Sequence, residues 1–165
     1  MQLRVLGAHS SSAGQAACAT LLIDGRLAID AGSIASALSL EEQGKIEALL
    51  LSHQHFVHVR DLPLLALNLF RQGRRVTVYA TRETLAGLEK HLFNDELYPR
   101  FQSIPEANPT VVFDELCPTE EQAVAGYRVC AVPVNHWECA AGFMITDSPG
   151  NTIFCSGDTG AGLGR

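Results

Sequence analysis

Apolar positions come in short runs along this chain, and the spacing within each run predicts the element it forms. The opening "MQLRVLG" alternates and ends in glycine, as a strand does, while "AHSSSAGQA" behind it is a small, polar loop able to lie close to a ligand. Two apolar runs then flank Asp24-Gly25, a strong hairpin signal, so Ala19–Ile23 and Arg26–Asp30 are expected to pair antiparallel. Residues Ser36 to Gln43 suit a short helix closed by Gly44, and "KIEALLLS" reads as a buried strand ending at Ser52. In "VRDLPLLALNLFRQG" the apolar spacing turns helical. Pro63 is tolerated there only in a first turn and Gly73 acts as a stop, which predicts a helix from Asp61 to Gln72. "RVTVYA" is a β-branched strand, and Thr81 is placed to cap a helix over "RETLAGLEKHLF". From Pro105 the pattern changes to four strand-like runs, "PTVVFDEL", "YRVCAVPV", "AAGFMITD" and "NTIFCSGD". Strands alternating with helices, followed by a β-rich half, predict a mixed α/β fold. With no repeat and no linker, one domain over residues 1–165 is expected.

Composition narrows the classes. At 47% hydrophobic and 18% charged residues, the chain can bury a real core and is not of the disordered class. Its formal charge is -6, and the one basic cluster, Arg71, Arg74 and Arg75, suits a solvated helix end, so nucleic acid is not the expected partner. Five cysteines form no CxxC pair, and no charged-then-apolar leader opens the sequence; a reduced, cytoplasmic setting is expected. No apolar run approaches the roughly 18 residues of a membrane span.

Chemistry concentrates in "LLLSHQHFVHVRDL". His53, His55 and His58 fall within six residues, directly after an apolar strand. Residues two apart on an extended segment point the same way, so His53 and His55 can offer imidazoles to one point, with His58 joining as the chain turns. Neutral imidazole is the commonest metal ligand; the alternative is three solvated loop histidines. His136 in "PVNHWE" and Asp158 in "FCSGDTG" also follow strand-like runs, where a β-scaffold presents side chains from a rigid edge. Taken singly, they read as a loop histidine and a turn residue. Together the set makes a shell for a hydrolytic metal with an open position for water.

The order "LIDGRLAIDAG", "LLSHQHFVH", "PVNH" and "SGDTG" resembles the metallo-β-lactamase superfamily. The connecting wording of "KIEALLLSHQH", "VTVYATRETLAGLEKHLFNDELYP" and "YRVCAVPVNH" is similar to the class II cyclic-nucleotide phosphodiesterases within it. The resemblance implies an αββα sandwich and zinc as cofactor, with manganese or iron as alternatives. It assigns His53, His55 and His136 to a first metal, Asp158 as bridging and catalytic carboxylate, His58 to a second metal, and Asp30 as a support behind the site. The substrate implied is a small nucleotide. Two departures stand out. The family's Asp before the third histidine is Val57 here, and the family's final His has no counterpart before Arg165, so the C-terminal part of the fold is expected to be missing. Both losses strike the second metal. One well-held ion and a weak or absent second site are expected, as is self-association or a partner chain over the uncovered edge. A non-catalytic module, or a hydrolase acting on a thioester, a lactam or an RNA end, is the alternative.

Several further residues carry weaker expectations. His9 is a candidate substrate contact by its loop, against the alternative of a solvated histidine. Trp137 is a candidate wall for a nucleotide base, His91 a surface helix residue, and Cys139 and Cys155 small buried residues, with Cys155 close to Asp158 in sequence.

Overall fold

The computed structural model describes residues 1–10, 14, 16–136 and 139–161. Strand β1 (Leu3–Gly7) pairs antiparallel with β2 (Thr20–Ile23), and β2 with β3 (Leu27–Ile29). The β2–β3 hairpin turns through Asp24, Gly25 and Arg26, the first two with positive φ (47° and 70°), the backbone that a primed turn requires. Strands β4 (Ala48–Leu50), β5 (Val76–Ala80) and β6 (Val111–Glu115) then add in parallel, completing a six-stranded sheet in chain order. A second, antiparallel sheet has the order β10 (Thr152–Cys155), β9 (Ala141–Thr146), β8 (Tyr127–Pro133) and β7 (Glu121–Val124).

Strand β4 shows why its sequence is uniformly apolar. Leu49 turns to the helices and joins Leu65, Leu69 and Val78, while Ala48 and Leu50 turn to the second sheet and meet Val129, Phe143 and Ile145. A strand covered on both faces has no place for polar alternation. The helix layer on the six-stranded sheet comprises α1 (Ile34–Ala37), α2 (Leu40–Gln43), α3 (Phe56–Val59), α4 (Leu62–Gln72) and α5 (Arg82–His91). Helix α4 matches expectation, with Pro63 in its first turn and Gly73 in the left-handed region at its end.

The details differ in three places. The helix expected over Ser36–Gln43 is two single turns, because Leu38 is extended and Ser39 starts α2 with a reciprocal capping box to Glu42. Thr81 precedes α5 without capping it; its hydroxyl instead donates to Thr84 Oγ1 and Cys139 O. Strand β7 is too polar to stand out in the sequence and forms as the edge partner of β8.

The sheets are of unequal width. Leu3 and Val5 share the register of Ile23 and Leu21 on the inter-sheet side, yet they are 48% and 59% exposed because β1 overhangs the four-stranded sheet. On the outer face of that sheet Met144 and Phe154, paired across β9 and β10, are exposed as well. The second helix layer of an αββα sandwich has no counterpart among the described residues.

Candidate metal centre

The histidine-rich stretch leaves the C-terminal end of β4. Ser52, His53 and His58 are buried, His55 and Val57 half-buried, and α3 begins after His55 and carries His58 inward. His136 follows β8 and Asp158 follows β10, so the second sheet delivers its two residues to the same end of the sandwich. Those loops are tied together: Gly160 N donates to Asn135 O at 2.7 Å, and Asn135 Nδ2 donates to Ala161 O. Ala141 N donates to Ser52 O at 2.9 Å and joins this end of β9 to the end of β4. Gly157 has φ +58°, and a Cβ there would meet Ser52 Cβ at 3.0 Å, so glycine is needed both for the turn and for the close approach that sets Asp158 in place.

Five side chains converge. His53 Nε2 lies 2.9 Å from His55 Nδ1, which lies 3.3 Å from His136 Nε2. Asp158 Oδ2 is 3.9 Å from His136 Nε2 and 3.3 Å from His58 Nε2. Two overlapping trios of potential ligands result, His53, His55 and His136 on one side, and His53, His58 and Asp158 on the other. Bonds of about 2.0–2.1 Å to one ion put neighbouring tetrahedral donors about 3.3 Å apart, the scale of these separations.

Behind them sits Asp30, buried, with φ 58° in the left-handed region. Its carboxylate accepts from Ser52 N and Ser52 Oγ, each at 2.9 Å, and from His58 Nδ1 at 2.8 Å. Since the Ser52 hydroxyl donates its proton to Asp30, its oxygen accepts from His53 Nδ1 at 3.0 Å. One carboxylate thus fixes the tautomers of two imidazoles and leaves both Nε2 lone pairs facing the centre. His58 Nε2 is buried without a hydrogen-bond partner, opposite the Asp158 carboxylate. A proton on this nitrogen pairs it with Asp158; in the neutral ring its buried lone pair, worth about 1–3 kcal/mol when unmet, is available to a cation. The donor chemistry fits a divalent metal ion.

Burial, then the neighbouring His58, His55 and His136, push the His53 pKa down to about 3. For His58 burial opposes the charge, but hydrogen bonding to Asp30 and the charges of Asp30 and Asp158 raise it above the ordinary value. The two act in separate pH windows. Below about 6.5 an unfolded chain takes up a proton at position 53 that the folded chain refuses, so stability falls with pH by about 1.4 kcal/mol per unit. The His58 contribution is complete below that value and is lost only as pH rises through its folded pKa. Urea melts of the metal-free chain are therefore expected to show a loss of about 2 kcal/mol between pH 6.5 and 5, and a flat profile there would refute it.

Ser52 and Gly157 were not legible as site residues, although a serine ending an apolar strand and the "SGD" turn were available signals. His9 forms an isolated bridge with Cys18, is exposed, and is not among the converging donors. Trp137 lies outside the described residues. Half-buried Cys155 lines a cavity of about 250 Å³ beside the centre, with Thr20, Asp30, His58 and Asp158. Burial raises the pKa of its thiol.

Residues 21–163 match the family model of the beta-lactamase superfamily domain, and the chain belongs to that family. Similar solved structures include the metallo-beta-lactamase fold protein YhfI of Bacillus subtilis (18% identity, TM-score 0.71) and unliganded yeast PDE1 (16%, 0.76). Each match covers 94% of this chain, and the chain spans 61% of YhfI and 64% of PDE1. Human tRNase Z, short form, matches with TM-score 0.66 and 19% identity over 99% of this chain and 70% of that one. At these identities the likeness is one of fold. Curated protein sequences give no match.

Proposed function

We propose that this chain is a metal-dependent hydrolase of phosphodiesters, with 3′,5′-cyclic nucleotides as its substrates. The observation that carries the reading is the convergence of four imidazoles and a carboxylate with their lone pairs aimed inward, one of them buried and unpartnered. In this reading His53, His55, His136 and Asp158 hold one ion tightly, and His58 with Asp158 forms a weak second site, because Val57 supplies no ligand. Zinc suits the imidazole-rich set, with manganese or iron as alternatives. A bound ion lowers the pKa of water to about 7 and polarises the phosphodiester.

The chain's own groups do the rest. Asp30 and Ser52 hold the imidazoles in register, and the Asp158 carboxylate, through the oxygen that does not hold the ion, accepts the attacking water's proton. The net charge of -6 and the lack of a basic cluster beyond Arg71, Arg74 and Arg75 favour a small nucleotide over RNA. No helix among the described residues is long and apolar enough to cross a membrane, and a single domain in a reducing cytoplasm completes the reading.

Metal analysis after dialysis is expected to give one equivalent per chain, with hydrolysis of cyclic AMP or cyclic GMP lost on chelation and restored by the ion. Two tight equivalents, or none, would sink it. Val57 favours a second reading, a binding module on the same fold that holds an ion without turnover; retained metal with no hydrolysis of any phosphodiester would select it. The exposed Leu3, Val5, Met144 and Phe154 further support self-association. Gel filtration is expected to show a shift to larger species with rising concentration, against a constant monomer if these faces are inert.

A further inference from the structure

A second cleft, about 250 Å³ in volume, lies between the metal-ligand loop and helix α5. Gln54, the residue between His53 and His55, and Phe56, directly after His55, line one side, and Leu88, His91 and Leu97 are among the residues that line the rest. Phe56 and Leu97 line it and are 68% and 63% exposed, large apolar side chains left open to solvent at one cleft. Gly87 sits in the interior of α5, where glycine is a poor helix former. Its role is visible: a Cβ there would lie 2.1 Å from Gln54 Oε1, so the missing side chain lets the Gln54 amide lie against the helix inside the cleft.

We propose that this cleft receives a nucleobase-sized heteroaromatic ring. Its walls are apolar, and its polar side chains are one amide and one imidazole, a lining that suits a flat ring with hydrogen-bonding edges. Among the described residues no lysine or arginine lines it, so it offers no fixed positive charge to a second phosphate. The volume is below the roughly 300–1,000 Å³ of sites for drug-sized ligands, so the cleft takes a fragment of a substrate. As the ring-binding part of a phosphodiesterase site, the inference rests on the function proposed above, but occupancy by a free base does not need turnover.

The test is titration of the purified chain with adenosine and guanosine, which carry the ring and no phosphate, followed by amide NMR. The Gln54 side-chain amide and the backbone amides of Gly87 and Leu97 are expected to shift together. Gly87→Ala, which displaces Gln54 while improving helix propensity, and Leu97→Asp, at an exposed position, are each expected to weaken binding at least tenfold with the fold intact by circular dichroism. No shift at these amides up to about 10 mM nucleoside, or equal affinity in both variants, would overturn the proposal. Hydrolysis of cyclic nucleotides without nucleoside binding removes the cleft and leaves the phosphodiesterase reading standing. Nucleoside binding in a chain that hydrolyses no diester supports the cleft and removes that reading.

Discussion

Val57→Asp is expected to raise tightly held metal from one equivalent to two and to accelerate cyclic-nucleotide hydrolysis by about 100-fold or more. Val57 lies on α3 between His55 and His58 and is half-buried. A carboxylate there would give His58 and Asp158 a third ligand and a second negative charge, enough to hold an ion that two donors hold poorly. With two ions, both the attacking and the leaving oxygen of the diester are stabilised. A gain of about 3 kcal/mol in transition-state stabilisation corresponds to the rate change expected. Metal analysis alongside initial rates decides it. If the starting chain already holds two ions, or the variant gains neither metal nor rate, the vacancy at position 57 is not what limits the site.

Asp30→Asn is expected to weaken metal binding by about 10–100-fold and to lower unfolding stability by about 3 kcal/mol or more. Asparagine tolerates the left-handed backbone of position 30 as well as aspartate does, so the change isolates the carboxylate. The loss is one of partners. Ser52 N, Ser52 Oγ and His58 Nδ1 all donate to Asp30, and an amide offers them one acceptor oxygen and an NH₂ that faces donors. For a chain of this length, such a loss lowers the melting temperature by roughly 6–12 °C. Competition with a chromophoric chelator reads the affinity. Unchanged affinity in a folded variant would mean that the imidazoles hold their orientation without Asp30.

Much of the scaffold was legible because local chemistry and tertiary packing agree. Asp24-Gly25 allows the positive φ of its turn, Pro63 and Gly73 bracket α4, and the apolar run of β4 matches a strand covered on both faces. Within the site, the placement of His53 and His55 at a strand end follows from the period of an extended chain. Other features depend on partners far away in sequence. The break at Leu38 and Ser39 comes from a capping box that outcompetes a continuous helix, and polar β7 exists only as the edge partner of β8. Ser52 acquires its role from Asp30, 22 residues earlier, and Gly157 from the proximity of Ser52. No periodicity reports such distances.

The origin of the five donors has a mechanical consequence. His53, His55 and His58 come from the end of the six-stranded sheet, His136 and Asp158 from the end of the four-stranded one, and the two layers meet mainly through packed side chains. An ion at their meeting point would be a clasp across the sandwich, closing loops of about 80 and 100 residues between its ligands in the way a long-range cross-link does. Loading the site would therefore fasten the two layers to each other.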